Sequence, residues 1–178
     1  MLVRVMLFVL GTASASAQGW PYYRWPSVAQ QITDARVLGT LGAGDVNQIE
    51  SARLGATKGS TKDVREYAKM MLHDHEASFK ENTELARRFR ITRLLPIDSA
   101  MARTHKQSMD SLNLLTGAPF DRAFLVSMVA DHAALIKQVD STLLPAAERR
   151  EVKDFLRELL PILSAHLAKG QRLMDKPK

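Results

Sequence analysis

The stretch Thr61–Phe89 reads TKDVREYAKMMLHDHEASFKENTELARRF and contains neither proline nor glycine. Its apolar and small residues recur at alternating spacings of three and four, which is the pattern of a helix with one buried face. His75 lies in the middle of this face, where a leucine is the usual residue. The stretch therefore predicts a long helix that carries an imidazole into a protein core. The predicted face comprises Val64, Ala68, Met71, His75, Ser78, Asn82, Leu85 and Phe89.

Helical patterns continue on both sides of this stretch, and no segment of useful length alternates with the period of a strand. The first two helices are separated only by Gly59-Ser60, so we expect them to form an antiparallel hairpin. Two long hairpins joined by a crossover with a short helix give an antiparallel four-helix bundle. The predicted helices are Asp34–Lys58, Thr61–Arg90, Asp98–Leu115, one that starts near Pro119, and one that Pro145 opens and that contains Pro161.

Composition limits the protein to a few classes. The 178 residues are enough for one domain with its own core. The net charge of +6 favours an anionic envelope surface as a partner, but the basic residues are scattered and form no stripe with aromatic residues, so we expect no nucleic-acid binding. The absence of cysteine excludes disulfides, cysteine-ligated zinc and a bacterial lipid anchor. A homo-oligomer is an alternative to a monomer.

The N-terminus is typical of an export signal. Arg4 precedes a short apolar run, and Ala15-Ser16-Ala17 offers a small-residue cleavage site. The run is too short to span a bilayer, and a short membrane anchor is the alternative. We therefore expect residues 1–17 to be a signal peptide, 18–32 an aromatic and proline-rich linker, and 33–175 the helical domain of a periplasmic or secreted protein.

Four of the five histidines, namely His75, His105, His132 and His166, fall on the apolar faces of the predicted helices, whereas His73 is expected to be exposed. One interpretation is a set of neutral core histidines, each hydrogen-bonded to a carboxylate or a carbonyl. Asp121–His166 is the pair we expect most. The other interpretation is a metal site between helices, because imidazole and carboxylate groups from facing helices hold ions in bundle proteins.

Counting along the hairpins selects ligands for such a site. His75 lies level with about Asp45 across the first hairpin, and His166 with about Asp121 across the second. If the second turn lies at Leu144-Pro145, His132 is displaced from His166 by about ten residues, or roughly 15 Å, and cannot share its ion. One ligand per helix then gives the predicted set, in which the metal is a transition metal of unknown identity: Glu50, His75, Asp121 and His166.

Copper is a variant of this hypothesis, because methionine and histidine recur at i, i+4 in Met71/His75, Met101/His105 and Met128/His132, and both side chains bind Cu(I). The sequence has no Glu-x-x-His pair for a di-iron centre, no Gly-x-Ser-x-Gly elbow and no phosphate-binding glycine loop. No catalytic residues are therefore predicted, and we lean towards a protein that is not an enzyme.

Several motifs occur in a specific order: Met-x-x-Asp-His at 71–75 and again at 128–132, Gly-x-x-Phe-Asp at 117–121, and Leu-Pro-x-x-x-x-His-Leu at 160–167. In these motifs the chain resembles the bacterial exported family called domain of unknown function 4142, over about residues 32–174. The resemblance implies a ferritin-like bundle in the cell envelope and brings no reaction with it. Besides the four predicted ligands, the family motif residues are Asp74, Phe120, Asp131, His132 and Pro161.

The sequence thus leads to two functional hypotheses for an all-α, ferritin-like antiparallel four-helix bundle with a short extra helix in its crossover. The first is a non-enzymatic exported protein that serves the envelope or stress tolerance by binding or as a structural component. The alternative is a metal-binding bundle for iron, zinc or copper.

Overall fold

The computed structural model describes residues 28–92 and 99–176, with side chains from 33 to 92 and from 102 to 176. These residues contain no strand, and they form the predicted all-α antiparallel four-helix bundle with a short extra helix in its crossover. The predicted signal peptide 1–17, most of the linker 18–32 and Asp98, the first residue of the predicted third helix, lie outside the described residues. The elements are α1 Val28–Lys58, α2 Lys62–Arg88, α3 Ser99–Leu114, α4 Gly117–Gln138, a π-helical segment Val139–Leu143, α5 Leu144–Ala146 and α6 Arg150–Met174.

The first hairpin follows the prediction closely. α1 ends at Lys58 as expected, although it begins at Val28 rather than at Asp34, so the last five residues of the expected linker are already helical. The side chain of Thr61 caps α2 by accepting a hydrogen bond from the backbone N–H of Val64, at 3.3 Å. Only three residues separate the two helices, and α1 packs along the whole of α2.

The second hairpin turns later than predicted. The prediction that Pro145 opens the last helix is wrong, because the chain stays helical from α4 through the π-helical segment and α5 to Ala146. In the π-helical segment the N–H of Leu144 bonds to the carbonyl of Val139, and the chain then reaches Pro145, which has no N–H to donate. The turn lies at residues 147–149, and α6 continues through Pro161.

Two buried aspartates connect the hairpins, one at each end of the bundle. Asp121, near the start of α4, accepts hydrogen bonds from the backbone N–H groups of Ser60 and Thr61 at 2.7 and 3.0 Å, and from the Ser60 hydroxyl at 2.7 Å. Asp34 of α1 accepts a hydrogen bond from the N–H of Glu148 at 3.0 Å and pairs with the Arg149 guanidinium at 2.6 Å. Each turn is thus held by a carboxylate from the other hairpin.

The core is divided into two apolar clusters, which we call the Phe124 cluster and the Phe155 cluster. Between them lies a polar level made of Asp45, His75, Ser78, His132 and His166, all of which are buried; we call it the histidine layer. The Phe124 cluster consists of Ala52, Val64, Tyr67, Ala68, Met71, Met109, Leu112, Phe120, Phe124, Leu125 and Met128. The Phe155 cluster consists of Val37, Leu38, Leu41, Ala86, Val139, Leu143, Ala147, Val152, Phe155, Leu156, Leu159 and Leu163.

The short helix α3 belongs to the crossover and packs on α1 and α4, and its Met109 and Leu112 belong to the Phe124 cluster. None of the helices in the described part of the chain is both long enough and apolar enough to cross a bilayer.

Candidate metal centre

Three buried histidines from three helices meet in the histidine layer. α2 supplies His75, α4 supplies His132 and α6 supplies His166, and these residues are exposed by only 3%, 0% and 2%. One nitrogen of each ring lies within 4.8 Å of one nitrogen of each of the others. The ring centroids are 5.3 to 5.6 Å apart. Among the described residues, this triad is the single group of three potential ligands close enough to share an ion.

Each ring is fixed from outside by a hydrogen bond to an oxygen atom at 2.8 Å. His75 Nδ1 donates to the Asp45 carboxylate of α1, and His166 Nε2 donates to the Asp74 carboxylate of α2. His132 Nδ1 bonds to the backbone carbonyl of Met128, which can only accept, so this nitrogen carries the proton. These bonds determine the tautomer of each neutral ring and leave its other nitrogen with a lone pair.

The other nitrogen of each ring carries no proton when the ring is neutral, so these nitrogens cannot donate hydrogen bonds to one another. His75 Nε2 and His132 Nε2 are 3.4 Å apart, and both present lone pairs when the rings are neutral. His166 Nδ1 is buried and has no hydrogen-bond partner among the described residues. Buried polar atoms of a native core normally have a partner. A cation shared by these three nitrogens would satisfy all of them together.

Burial keeps His132 and His166 in the form that binds metals. Desolvation lowers the pKa of His132 to about 3 from the ordinary value of 6.5, and the nearby His75 and His166 lower it further against the bond to Met128. The pKa of His166 is lowered as well, chiefly by desolvation, although Asp74 opposes this shift. Both rings are therefore neutral near pH 7, and a neutral imidazole is the form that coordinates a metal.

The two carboxylates that bond to the rings differ in their surroundings. Asp45 is buried and accepts a second hydrogen bond, from the hydroxyl of Ser78, at 2.9 Å. Asp74 lies nearer the surface, with 31% of its side chain exposed. An arrangement of carboxylate, histidine and ion is the usual second layer of protein metal sites, where it orients the ring and raises its basicity.

The spacing fits an ion held by three nitrogens. Metal–nitrogen bonds of about 2.0–2.1 Å at tetrahedral angles place ligand nitrogens about 3.3 Å apart. The 3.4 Å between His75 Nε2 and His132 Nε2 already matches this value. Since no pair of the triad exceeds 4.8 Å, the further approach that His166 needs is at most about 1.5 Å.

The structure places two of the four predicted ligands in the triad and two elsewhere. Glu50 lies on the outside of α1 and accepts from His105 Nε2 of α3 at 3.0 Å. Asp121 holds the turn at Ser60, so the expected Asp121–His166 pair is wrong, and His166 pairs with Asp74 instead. Neither Glu50 nor Asp121 is among the residues that approach the triad.

His132 was excluded from the predicted ligand set, and the structure shows that its ring lies beside that of His166. The second hairpin turns at residues 147–149 rather than at Leu144-Pro145, which changes the levels at which these two histidines lie. Measured from Glu148 in the true turn, His132 is 16 residues before and His166 is 18 residues after, so the two are nearly level. The expected alignment of His75 with Asp45 is confirmed by their hydrogen bond. The repeated motif Met-x-x-Asp-His was the signal that could have included His132.

The other motif residues have separate roles. Phe120 is fully buried and stacks on Phe124 with a centroid distance of 6.0 Å. Asp131 does not join the triad and points instead towards a groove beside α3. His73 is exposed, as expected.

Comparisons with known proteins agree with the fold. A solved structure titled "CopM in the Cu(II)-bound form" is similar to this chain, with a TM-score of 0.64, 18% sequence identity, and coverage of 79% of this chain and 95% of that one. No curated protein matches the sequence. The family described as "Domain of unknown function (DUF4142)" matches residues 26–173. That range begins before α1 and ends one residue before the last residue of α6. The chain belongs to the DUF4142 family.

Proposed function

We propose that this protein is a non-enzymatic metal-binding bundle that holds one transition-metal ion between His75, His132 and His166. Copper is the first choice for this ion. The observation that carries the proposal is that the two nitrogens of each ring have different surroundings. One nitrogen of each ring is bonded to an oxygen atom, one nitrogen of each ring lies within 4.8 Å of one nitrogen of each of the others, and His166 Nδ1 has no partner among the described residues. Histidines that serve only packing would have partners on both sides.

The donor set favours a late first-row ion. Imidazole nitrogens suit copper, zinc, nickel and iron, whereas magnesium and calcium require oxygen ligands, and the triad offers none. Among divalent ions, copper forms the most stable complexes with such ligands. The similar structure named above was solved with Cu(II), which supports testing copper first. Zinc is the second choice, since three histidines also form zinc sites.

Asp45 and Asp74 support charge balance in the site. Three neutral imidazoles leave the charge of the ion uncompensated in a core of low polarity, where an isolated charge is costly. Asp45 and Asp74 each bond to a ring that would bind the ion, so their negative charges lie one ring away. A divalent ion together with two carboxylates is neutral, and this supports Cu(II) or Zn(II).

The sequence indicates the compartment in which the site would work. Residues 1–17 have the features of a signal peptide, so the bundle would bind its ion in the periplasm or outside the cell. An exported bundle that stores or buffers an ion needs no catalytic residues, and this agrees with the sequence, which contains no recognisable catalytic motif.

The decisive experiment is a metal titration of the purified, tag-free protein, first stripped with a chelator. We expect one Cu(II) or Zn(II) per chain, no response to Mg(II), and nitrogen hyperfine structure in the Cu(II) electron paramagnetic resonance spectrum. The variants H75Q, H132L and H166Q should each lose at least about a hundredfold in affinity, since one of three ligands is removed. Circular dichroism of each variant is the control that its helices still form.

His73 and His105 provide matched controls. His73 is an exposed histidine two residues from His75, and His105 lies on α3 outside the core. The variants H73Q and H105Q should bind the ion as the unchanged protein does. The proposal is refuted if no ion binds at micromolar concentration, or if the two control variants lose as much affinity as the triad variants do.

A further inference from the structure

A groove with a volume of about 330 Å³ lies between α1, α3 and α4. The triad does not use it, although Asp131 in its wall is a motif residue that directly precedes His132 in the sequence. Gln48 of α1 and His105 of α3 contribute to its polar wall. Ala134 and Leu135, one helical turn beyond Asp131, contribute apolar surface.

The polar wall of the groove is rich in acceptors. Asp131 is solvent-exposed, and within the described part of the chain it accepts two long hydrogen bonds, from Gln48 Nε2 at 3.3 Å and from the Ser127 hydroxyl at 3.5 Å. Gln48 is 94% buried, and its Oε1 has no hydrogen-bond partner among the described residues. His105 is already bonded to Glu50. No lysine or arginine is among the residues that line the groove in the described part of the chain.

This combination defines the chemistry of a ligand. A carboxylate with spare lone pairs and an unpartnered amide oxygen call for a donor that carries positive charge, and a charge-assisted hydrogen bond is the strongest that such a wall can form. The alanine and leucine beside it offer a surface for a few methylene groups. The volume lies at the lower end of the range found for small-molecule sites.

We propose that this groove is a binding site for a short aliphatic primary ammonium, with the charged group at Asp131 and Gln48 and the alkyl chain along Ala134 and Leu135. The site is separate from the metal centre. The Asp131 side chain bonds to Gln48 in the groove, whereas the neighbouring His132 ring is directed into the core. Ligand binding here requires no ion in the triad.

The test uses n-butylammonium as the probe and 1-butanol and butyrate as matched neutral and anionic probes. Chelator-treated, isotope-labelled full-length protein is titrated with each compound while amide nitrogen–proton chemical shifts are recorded. We expect saturable millimolar binding of the ammonium, with shifts confined to α1, α3 and α4 around the groove. The neutral and anionic probes should bind about tenfold more weakly or not at all, because they lack the charge-assisted bond to the carboxylate.

Three variants complete the experiment. D131N keeps the size of the side chain and should reduce the ammonium affinity to that of butanol, while D140N, which alters an exposed aspartate outside the groove, should leave it unchanged. A134W fills the groove and should abolish binding of every probe. Equal affinities of the charged and neutral probes, or unchanged ammonium binding by D131N, would overturn the proposal. Because the protein is metal-free throughout, this outcome is independent of whether the triad binds copper.

Discussion

Replacing His132 by leucine will make the metal-free protein more resistant to acid. In the folded chain His132 is fully buried, and burial lowers its pKa to about 3. In the unfolded chain the same ring titrates near its ordinary value of 6.5. Between these two values the unfolded state binds a proton that the folded state does not, so the free energy of unfolding falls as the pH falls.

The size of the effect follows from the two pKa values. Above pH 6.5 both states are neutral and His132 adds no pH dependence, whereas at pH 5 protonation of the unfolded ring destabilises the fold by about 2 kcal/mol. Leucine has no proton to bind, so the variant escapes this loss. We therefore expect the free energy of unfolding of H132L, relative to the unchanged protein, to improve by about 2 kcal/mol between pH 8 and pH 5.

Urea unfolding followed by circular dichroism, in the presence of a chelator, measures this change. Comparison of one variant at two pH values cancels the contributions of lost hydrogen bonds and altered packing, which are present at both. The H73Q variant removes an exposed histidine from α2 and should show no change in its relative stability over the same range. The reasoning is refuted if the stability difference between H132L and the unchanged protein is the same at pH 8 and pH 5.

Three other perturbations test separate parts of the structure. D74N removes the carboxylate that bonds one ring of the triad and should weaken copper or zinc binding about 10- to 100-fold in a competition titration, whereas E76Q on the exposed side of the same helix should not. D121N should lower the free energy of unfolding by about 1.5–3 kcal/mol at pH 7 without affecting metal affinity, because hydrogen bonds to a charged acceptor are lost. The pKa of Asp121 is depressed: burial raises it, but the bonds from the turn at 60–61 outweigh burial, so the D121N deficit should persist above pH 3.8 and diminish as the pH falls below it. G55A places a Cβ atom 2.5 Å from a buried phenylalanine ring and should destabilise the protein by about 1–3 kcal/mol in thermal unfolding. In G44A the new Cβ atom meets no atom within 4 Å, so this variant should stabilise α1 by up to about 1 kcal/mol. Equal melting temperatures for the two alanine variants would contradict this packing.

The sequence is sufficient to predict the helices and the pairing of the first hairpin, because the periodicity of apolar residues and the short link at Gly59-Ser60 are local signals. The alignment of Asp45 with His75 followed from them and is confirmed. The second hairpin could not be aligned in the same way. Proline normally marks the start of a helix, yet the hydrogen bonds shift by one residue before Pro145 and the helical path continues.

That shift decided the predicted ligand set. With the turn placed too early, His132 was assigned to a different level of the bundle from His166, and two carboxylates took its place in the predicted site. The roles of Glu50 and Asp121 could not be read from helical periodicity, because both bond to elements outside their own hairpin. A carboxylate on a helix face has the same pattern whether it caps a distant turn or binds an ion, and only tertiary contacts distinguish the two.

The reciprocal hydrogen bonds of Asp34 and Asp121 have a mechanical consequence for the triad. Each aspartate fastens the turn of the opposite hairpin, so the two hairpins cannot slide lengthwise past one another without breaking charge-assisted bonds at both ends of the molecule. The level at which three rings from two hairpins meet is therefore fixed before any ion arrives. Adjustment to the radius of an ion is restricted to sideways movement of the helices and rotation of the rings, and an ion whose coordination demands an axial displacement is disfavoured by the frame itself.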